Sequence, residues 1–175
     1  MNTPRNPFRL NLGFFLPQEI GYNHDFPFEF EKIKLTENFS LDNFDGTVTV
    51  SRTPQGLLLQ GDFSGDIGLE CVRCLKKYTH RLNWDMTELY VFNREDAEDD
   101  ALLLPFNAEV DIEEFVREDA QIDIPINPIC KDDCLGLCQV CGTDLNIKDC
   151  GHEELPPDED DFEQSSPFAG LKDLR

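Results

Sequence analysis

Seven cysteines and one histidine carry the most legible chemistry in this chain: Cys71-x2-Cys74, Cys130-x3-Cys134, Cys138-x2-Cys141, and Cys150 with His152 two residues on. A tight turn after the first cysteine of a close pair aims two thiolates at one ion, and two pairs complete zinc's closed tetrahedron. Gly142, directly after Cys141, suits the turn that closes such a knuckle. Eight candidate ligands suffice for two sites, so the expected cofactor is zinc, one or two structural ions. The preferred partition is local. Cys138, Cys141, Cys150 and His152 form one small loop, while Cys71, Cys74, Cys130 and Cys134 clip a sheet to a later segment. The alternative joins Cys71 and Cys74 to Cys138 and Cys141, as in a zinc ribbon, and both satisfy the sequence. The one-residue gap between Cys150 and His152 is tight for two ligands on one ion, and a single site with spare thiols is the plainer reading.

Other chemistry is thinner. Arg73, Lys76, Lys77, His80 and Arg81 form the one basic concentration, with Tyr78 and Trp84 close by, which makes Arg73, Lys76, Lys77 and Arg81 candidate contacts to RNA or a partner. An ordinary solvated hairpin explains them slightly better. No carboxylate stands beside a nucleophile or histidine in a way that marks a hydrolase, and Gly61-x3-Gly65-x2-Gly68 lacks the lysine and helix of a phosphate-binding loop. A redox role for the close pairs would need a cysteine at a helix start in an α/β fold.

Charge divides the chain. The net charge is −21, and residues 94–163 hold 23 acids against four bases. Such a surface repels nucleic-acid phosphates and attracts basic proteins. An odd number of clustered cysteines without an export signal points to reduced thiols holding metal, hence to the cytoplasm. No window has the roughly 18 apolar residues of a membrane span.

The elements that must position these ligands read as follows. Residues 1–26, punctuated by Pro4, Pro7 and Pro17, are expected to be irregular. Alternation over Phe26–Leu35 predicts a strand. Asp45–Gly46 reads as a turn before a strand at Thr47–Ser51, with further strands from Leu57 and Leu69, together an antiparallel meander. Leu82, Trp84 and Met86 continue the alternation before it slips at Leu89 and Val91, as a bulge would cause. Residues 95–100 are a solvated loop. Asp111 and Glu114 predict a capping box for a helix burying Ile112, Phe115, Val116 and Ala120. The fold class is thus α+β: a small meander or barrel-like sheet, one main helix and a Cys-rich C-terminal segment. One domain spans 27–152, an acidic linker 153–166, and a short helical segment 167–175 that could dock on a partner or on its own domain.

Leu69-Glu70-Cys71-Val72-Arg73-Cys74-Leu75, the stretch Val110-Asp111-Ile112, Ile124-Pro125-Ile126-Asn127-Pro128-Ile129-Cys130, Cys134 through Asn146, and Pro167-Phe168-Ala169-Gly170-Leu171 together resemble the YceD-like family of large-ribosomal-subunit RNA accumulation proteins. The resemblance runs from about residue 56 to 175. It departs at Cys150-Gly-His152, where relatives often show Cys-x-Cys. It implies a non-catalytic factor in accumulation or processing of large-subunit ribosomal RNA, with no catalytic residues to carry over. The implied partner is a basic ribosomal protein or a large-subunit precursor, with direct RNA contact the lesser expectation and no membrane. The alternative function is a zinc-ribbon adaptor tethering an RNA-processing enzyme.

Overall fold

A computed structural model describes residues 6–93 and 102–152. Four long strands follow one another: β2 (Asn23–Lys34), β3 (Ser40–Arg52), β4 (Gly56–Glu70) and β5 (Lys77–Val91). They form an antiparallel meander, extended by the short parallel strand β6 (Leu102–Leu103) in the order β2-β3-β4-β5-β6. A separate two-stranded sheet pairs β1 (Arg9–Asn11) with β7 (Glu109–Asp111), and the helix α1 (Glu113–Ile122) follows. The fold is α+β as expected, but the main sheet stays open rather than closing as a barrel.

Alternation explains the layers. Phe28 of β2, Val48 and Val50 of β3, Leu57, Leu59 and Phe63 of β4, and Leu82, Trp84 and Met86 of β5 point inward, where the β1–β7 pair and α1 cover them. Phe8, Phe28, Phe44, Phe63 and Trp84 meet in a chain of stacked, tilted and edge-on rings at 5.5–6.1 Å, and the stacked and edge-on pairs gain beyond their burial. Pro27, which cannot donate to a ladder, lies on the edge strand β2, where it helps blunt the open edge.

Several expectations are corrected. Residues 1–26 are not irregular throughout: Phe8, Leu10, Leu12 and Phe15 are buried, because Phe8-Arg9-Leu10-Asn11-Leu12 itself alternates and pairs with β7. Asp45–Gly46 is no turn but lies within β3, next to a register shift between Asp42 and Asp45 where Asn43 takes a φ of 48°. Gly46 is needed there because the Phe63 ring lies over it, 2.3 Å from where a Cβ would stand. The strands expected from Leu57 and Leu69 are one uninterrupted strand. No bulge interrupts β5, whose register with β4 is continuous from Glu70↔Lys77 to Gly56↔Val91. Tyr90 keeps the inward phase, and Val91 is buried on the other face at the end of the strand. The capping box does not form either. Asp111 Oδ1 accepts from the Glu113 N–H at 3.1 Å, while Glu114 pairs with Arg117 instead of reaching back. The loop at 95–100, the linker and the terminal segment 167–175 lie outside the described residues.

Candidate metal centres

β4 and β5 make the longest hairpin, and its turn, residues 71–76, is the first cysteine pair. The sheet thus delivers Cys71 and Cys74 to one end of the molecule. The segment after α1 brings the other two donors. Pro125 and Pro128 bar further helix, and the Pro128 carbonyl accepts the Val72 N–H at 2.9 Å, which lays Cys130 and Cys134 against the knuckle. The Arg73 guanidinium donates to the Cys134 carbonyl at 3.0 Å, and the Arg73 carbonyl accepts from Leu137 at 3.1 Å.

The four sulfurs of Cys71, Cys74, Cys130 and Cys134 all lie within 4.8 Å of one another. Cys71 and Cys134 are 3.8 Å apart, and Cys74 and Cys130 are 3.7 Å apart. A tetrahedron with metal–sulfur bonds of about 2.3 Å has edges of about 3.8 Å, whereas a disulfide would need about 2.05 Å. All seven cysteines are free thiols. Burial would raise the Cys71 pKa, but backbone N–H groups of Cys74, Cys130 and Arg73 outweigh it and bring the thiol down to about 6. Burial and the three neighbouring sulfurs push Cys130 up to about 12. Four thiols so placed cannot all ionise without a cation among them, and this is the chemical signature of a metal cradle.

Cys138, Cys141, Cys150 and His152 form a second group, again within 4.8 Å. His152 Nδ1 stands 3.3 Å from Cys150 Sγ and 3.8 Å from Cys138 Sγ, spanning the edge of about 3.6 Å expected for one nitrogen and one sulfur on a shared tetrahedral ion. The one-residue gap is therefore wide enough, because Gly151 adopts φ 70° and folds the chain back. The Thr143 hydroxyl and backbone N–H bring Cys141 down to about 6. The groups follow the local partition; the ribbon pairing of the two x2 knuckles is not what the fold assembles.

The two groups differ in exposure. Cys71, Cys74 and Cys134 are buried, with Tyr78, Ile129 and Leu137 packed around them. Cys141 and His152 are exposed. Asn146 does not stand out as a site residue in the sequence, yet its carboxamide reaches Cys134 Sγ at 3.5 Å. The sequence signal for it was faint, a polar turn at Thr143–Asn146 closing the loop.

The basic cluster is split by the strand's alternation. Lys77 and Arg81 share one face of β5, and His80 lies on the other with Tyr78. Arg81 is bound by Asp45, Asp66 at 3.2 Å, Ser64 and the Asn43 carbonyl at 2.9 Å. Its charge is largely consumed within the sheet. Lys76 and Lys77, at the hairpin tip, have no ion-pair partner among the described residues. Among those residues no helix is long and apolar enough to cross a membrane.

Comparison with known proteins adds the following. A family model described as "Large ribosomal RNA subunit accumulation protein YceD" matches residues 59–175. An uncharacterized protein of Mycobacterium tuberculosis is 29% identical over 119 residues, 65% of this chain and 57% of the relative. One of Mycobacterium leprae is 28% identical over 103 residues, 57% and 48% of the two chains. The match therefore spans about half the length of these curated relatives. A chloroplastic protein of Arabidopsis thaliana named large ribosomal RNA subunit accumulation protein YCED homolog 1 is 39% identical over 61 residues, 34% of this chain and 19% of its own. No solved structure matches.

Proposed function

The chain belongs to the YceD family, and on that premise we propose that it is a cytoplasmic, non-catalytic factor for accumulation of large-subunit ribosomal RNA that docks a basic ribosomal protein. The observation that carries the choice of client is electrostatic. On the outer face of the sheet, Glu29 stands directly opposite Asp45, and Asp62 directly opposite Asp85. Like charges across a strand pair destabilise a sheet by themselves. Glu29, Asp62 and Asp85 have no hydrogen-bond or ion-pair partner among the described residues. An unpaired acidic face of this kind gains when lysines or arginines of a partner lie across it, and it disfavours direct contact with phosphates. Of the basic cluster, Lys76 and Lys77 at the hairpin tip are the lysines placed to approach RNA.

Zinc is the ion that best suits both centres: four thiolates in one, three thiolates and an imidazole in the other, with no open coordination position for catalysis. Cys71, Cys74, Cys130 and Cys134 would hold the first ion, and Cys138, Cys141, Cys150 and His152 the second. Their role is structural, clipping the hairpin tip to the segment after α1. Metal analysis should find two zinc ions per chain, falling to one at saturating zinc on Cys138→Ser.

Sedimentation of tagged protein through a sucrose gradient, with and without nuclease, tests the function. Co-migration with large-subunit precursors and recovery of basic ribosomal proteins after nuclease is expected. A protein that never co-migrates, and whose loss leaves large-subunit RNA unchanged, would end this reading.

A further inference from the structure

We infer that Asn146 couples the two metal centres, so that closing the second around its ion strengthens the first. The inference rests on reading both cysteine groups as metal centres. Asn146 lies in the chain between Cys141 and Cys150, inside the loop of the second centre, but its side chain serves the first. Both N–H donors of its carboxamide and its oxygen are used. Nδ2 donates to Asp144 Oδ1 at 2.7 Å and to Cys134 Sγ at 3.5 Å, and Oδ1 accepts the Leu135 N–H at 3.0 Å. An acceptor on one side and a backbone donor on the other fix which end of the amide is nitrogen.

Cys134 is 3% exposed, so solvent offers its sulfur little. A buried thiolate is stabilised by the donors around it, and partners that hydrogen-bond a metal ligand orient it and tune its affinity. For Cys71 those donors are backbone N–H groups of its own centre and its neighbour. For Cys134 the side-chain donor comes from the other centre's loop. That loop is strapped along the first centre by Leu145 N–H to the Gly136 carbonyl at 3.0 Å and by the bridge between Leu137 and Asp144. Its closure is built on the second centre's own knuckle, where Cys138 donates to the Thr143 carbonyl and Gly142 to the Cys138 carbonyl, both at 2.8 Å. Releasing the second ion frees the loop, and with it the carboxamide that completes the surroundings of Cys134.

The test uses the full chain loaded with cadmium-113, whose resonances distinguish a four-sulfur site from a site of three sulfurs and one nitrogen. Asn146→Asp keeps an acceptor for the Leu135 N–H but cannot donate to sulfur or to Asp144 and adds a negative charge beside both; Asn146→Ala removes donor and acceptor without adding a charge. In both variants the four-sulfur resonance should move, and affinity of that centre against a competing chelator should fall about 10- to 100-fold. Cys141→Ser, which opens the second centre, should weaken the first in the wild-type background and add nothing in Asn146→Ala. Far-UV circular dichroism checks that the sheet persists, and Asn146→Asp decides if Asn146→Ala does not fold. An unchanged four-sulfur resonance and affinity in Asn146→Asp, or a first centre indifferent to Cys141→Ser, overturns the coupling alone. A wild-type chain that takes up no cadmium overturns the metal reading as well.

Discussion

Leu75 and Gly142 hold the same place in two different knuckles. Each follows the second cysteine of its pair, with φ of 57° and 71°, and each donates its N–H to the carbonyl of the first cysteine, at 2.9 and 2.8 Å. The match extends one residue further, since Cys71 donates to the Lys76 carbonyl as Cys138 does to Thr143. The left-handed conformation costs a non-glycine residue about 1–2 kcal/mol. The first knuckle carries that strain at Leu75, whose side chain is exposed beside the buried cysteines; the second avoids it with glycine. Gly142→Val should therefore weaken the second centre about tenfold in a chelator competition, whereas Leu75→Gly should leave zinc content unchanged.

Exposure should set the order in which the two centres lose metal. Cys141 and His152 face solvent, while Cys71, Cys74 and Cys134 are buried. A chelator followed by a zinc-sensitive dye should show two phases, the fast one assigned to the second centre. That phase should disappear in Cys150→Ser. A single phase of two ions would contradict the assignment.

Glu88 gives the fold a pH dependence. It sits half-buried on the inward side of β5 facing α1, and burial, with the Asp119 charge, raises its pKa. Asp119 is raised likewise, by burial and by Glu118. A carboxyl whose folded pKa lies above its unfolded value binds its proton more tightly in the fold. Ionised Glu88 therefore costs stability, and the cost grows as pH rises from about 4.3 through the folded pKa. Glu88→Gln should raise the melting temperature at pH 7 by the equivalent of about 0.5 kcal/mol. The gain should vanish below about pH 4, where both forms are neutral.

The acidic face should trade stability against binding. Asp62→Asn removes half of the Asp62–Asp85 opposition and should stabilise the sheet by about 0.2–1 kcal/mol. Asp62→Lys should do so while weakening recovery of a basic client. Thermal melts and the nuclease-treated pull-down read the two effects separately, and unchanged client recovery with Asp62→Lys would count against this face as the docking surface.

Gly46→Ala tests the aromatic core. The Phe63 ring stands 2.3 Å from the position of the new Cβ, and the Asp62 carbonyl 2.7 Å. Overpacking of this kind costs about 1–3 kcal/mol, readable as a drop in the urea midpoint.

Much of the chemistry was local and therefore legible in the sequence. Thiol pairs with two or three residues between them can reach one ion whatever surrounds them, and alternation over 26–35 and 82–86 states a strand because side chains change face at each residue. The same alternation at Phe8-Arg9-Leu10-Asn11-Leu12 was obscured by flanking prolines, which bound that strand without interrupting it. What required the tertiary structure were relations between distant segments. Gly46 reads as a turn until Phe63, from the neighbouring strand, is seen to fill the space above it. Arg81 reads as a free cation until Asp45 and Asp66 close on it. The sequence supplied eight candidate ligands and two ways of dividing them. The hairpin tip and the segment after α1 chose between these, because the hydrogen bond from Val72 to Pro128 sets Cys130 and Cys134 beside the first knuckle and leaves the second to close on itself.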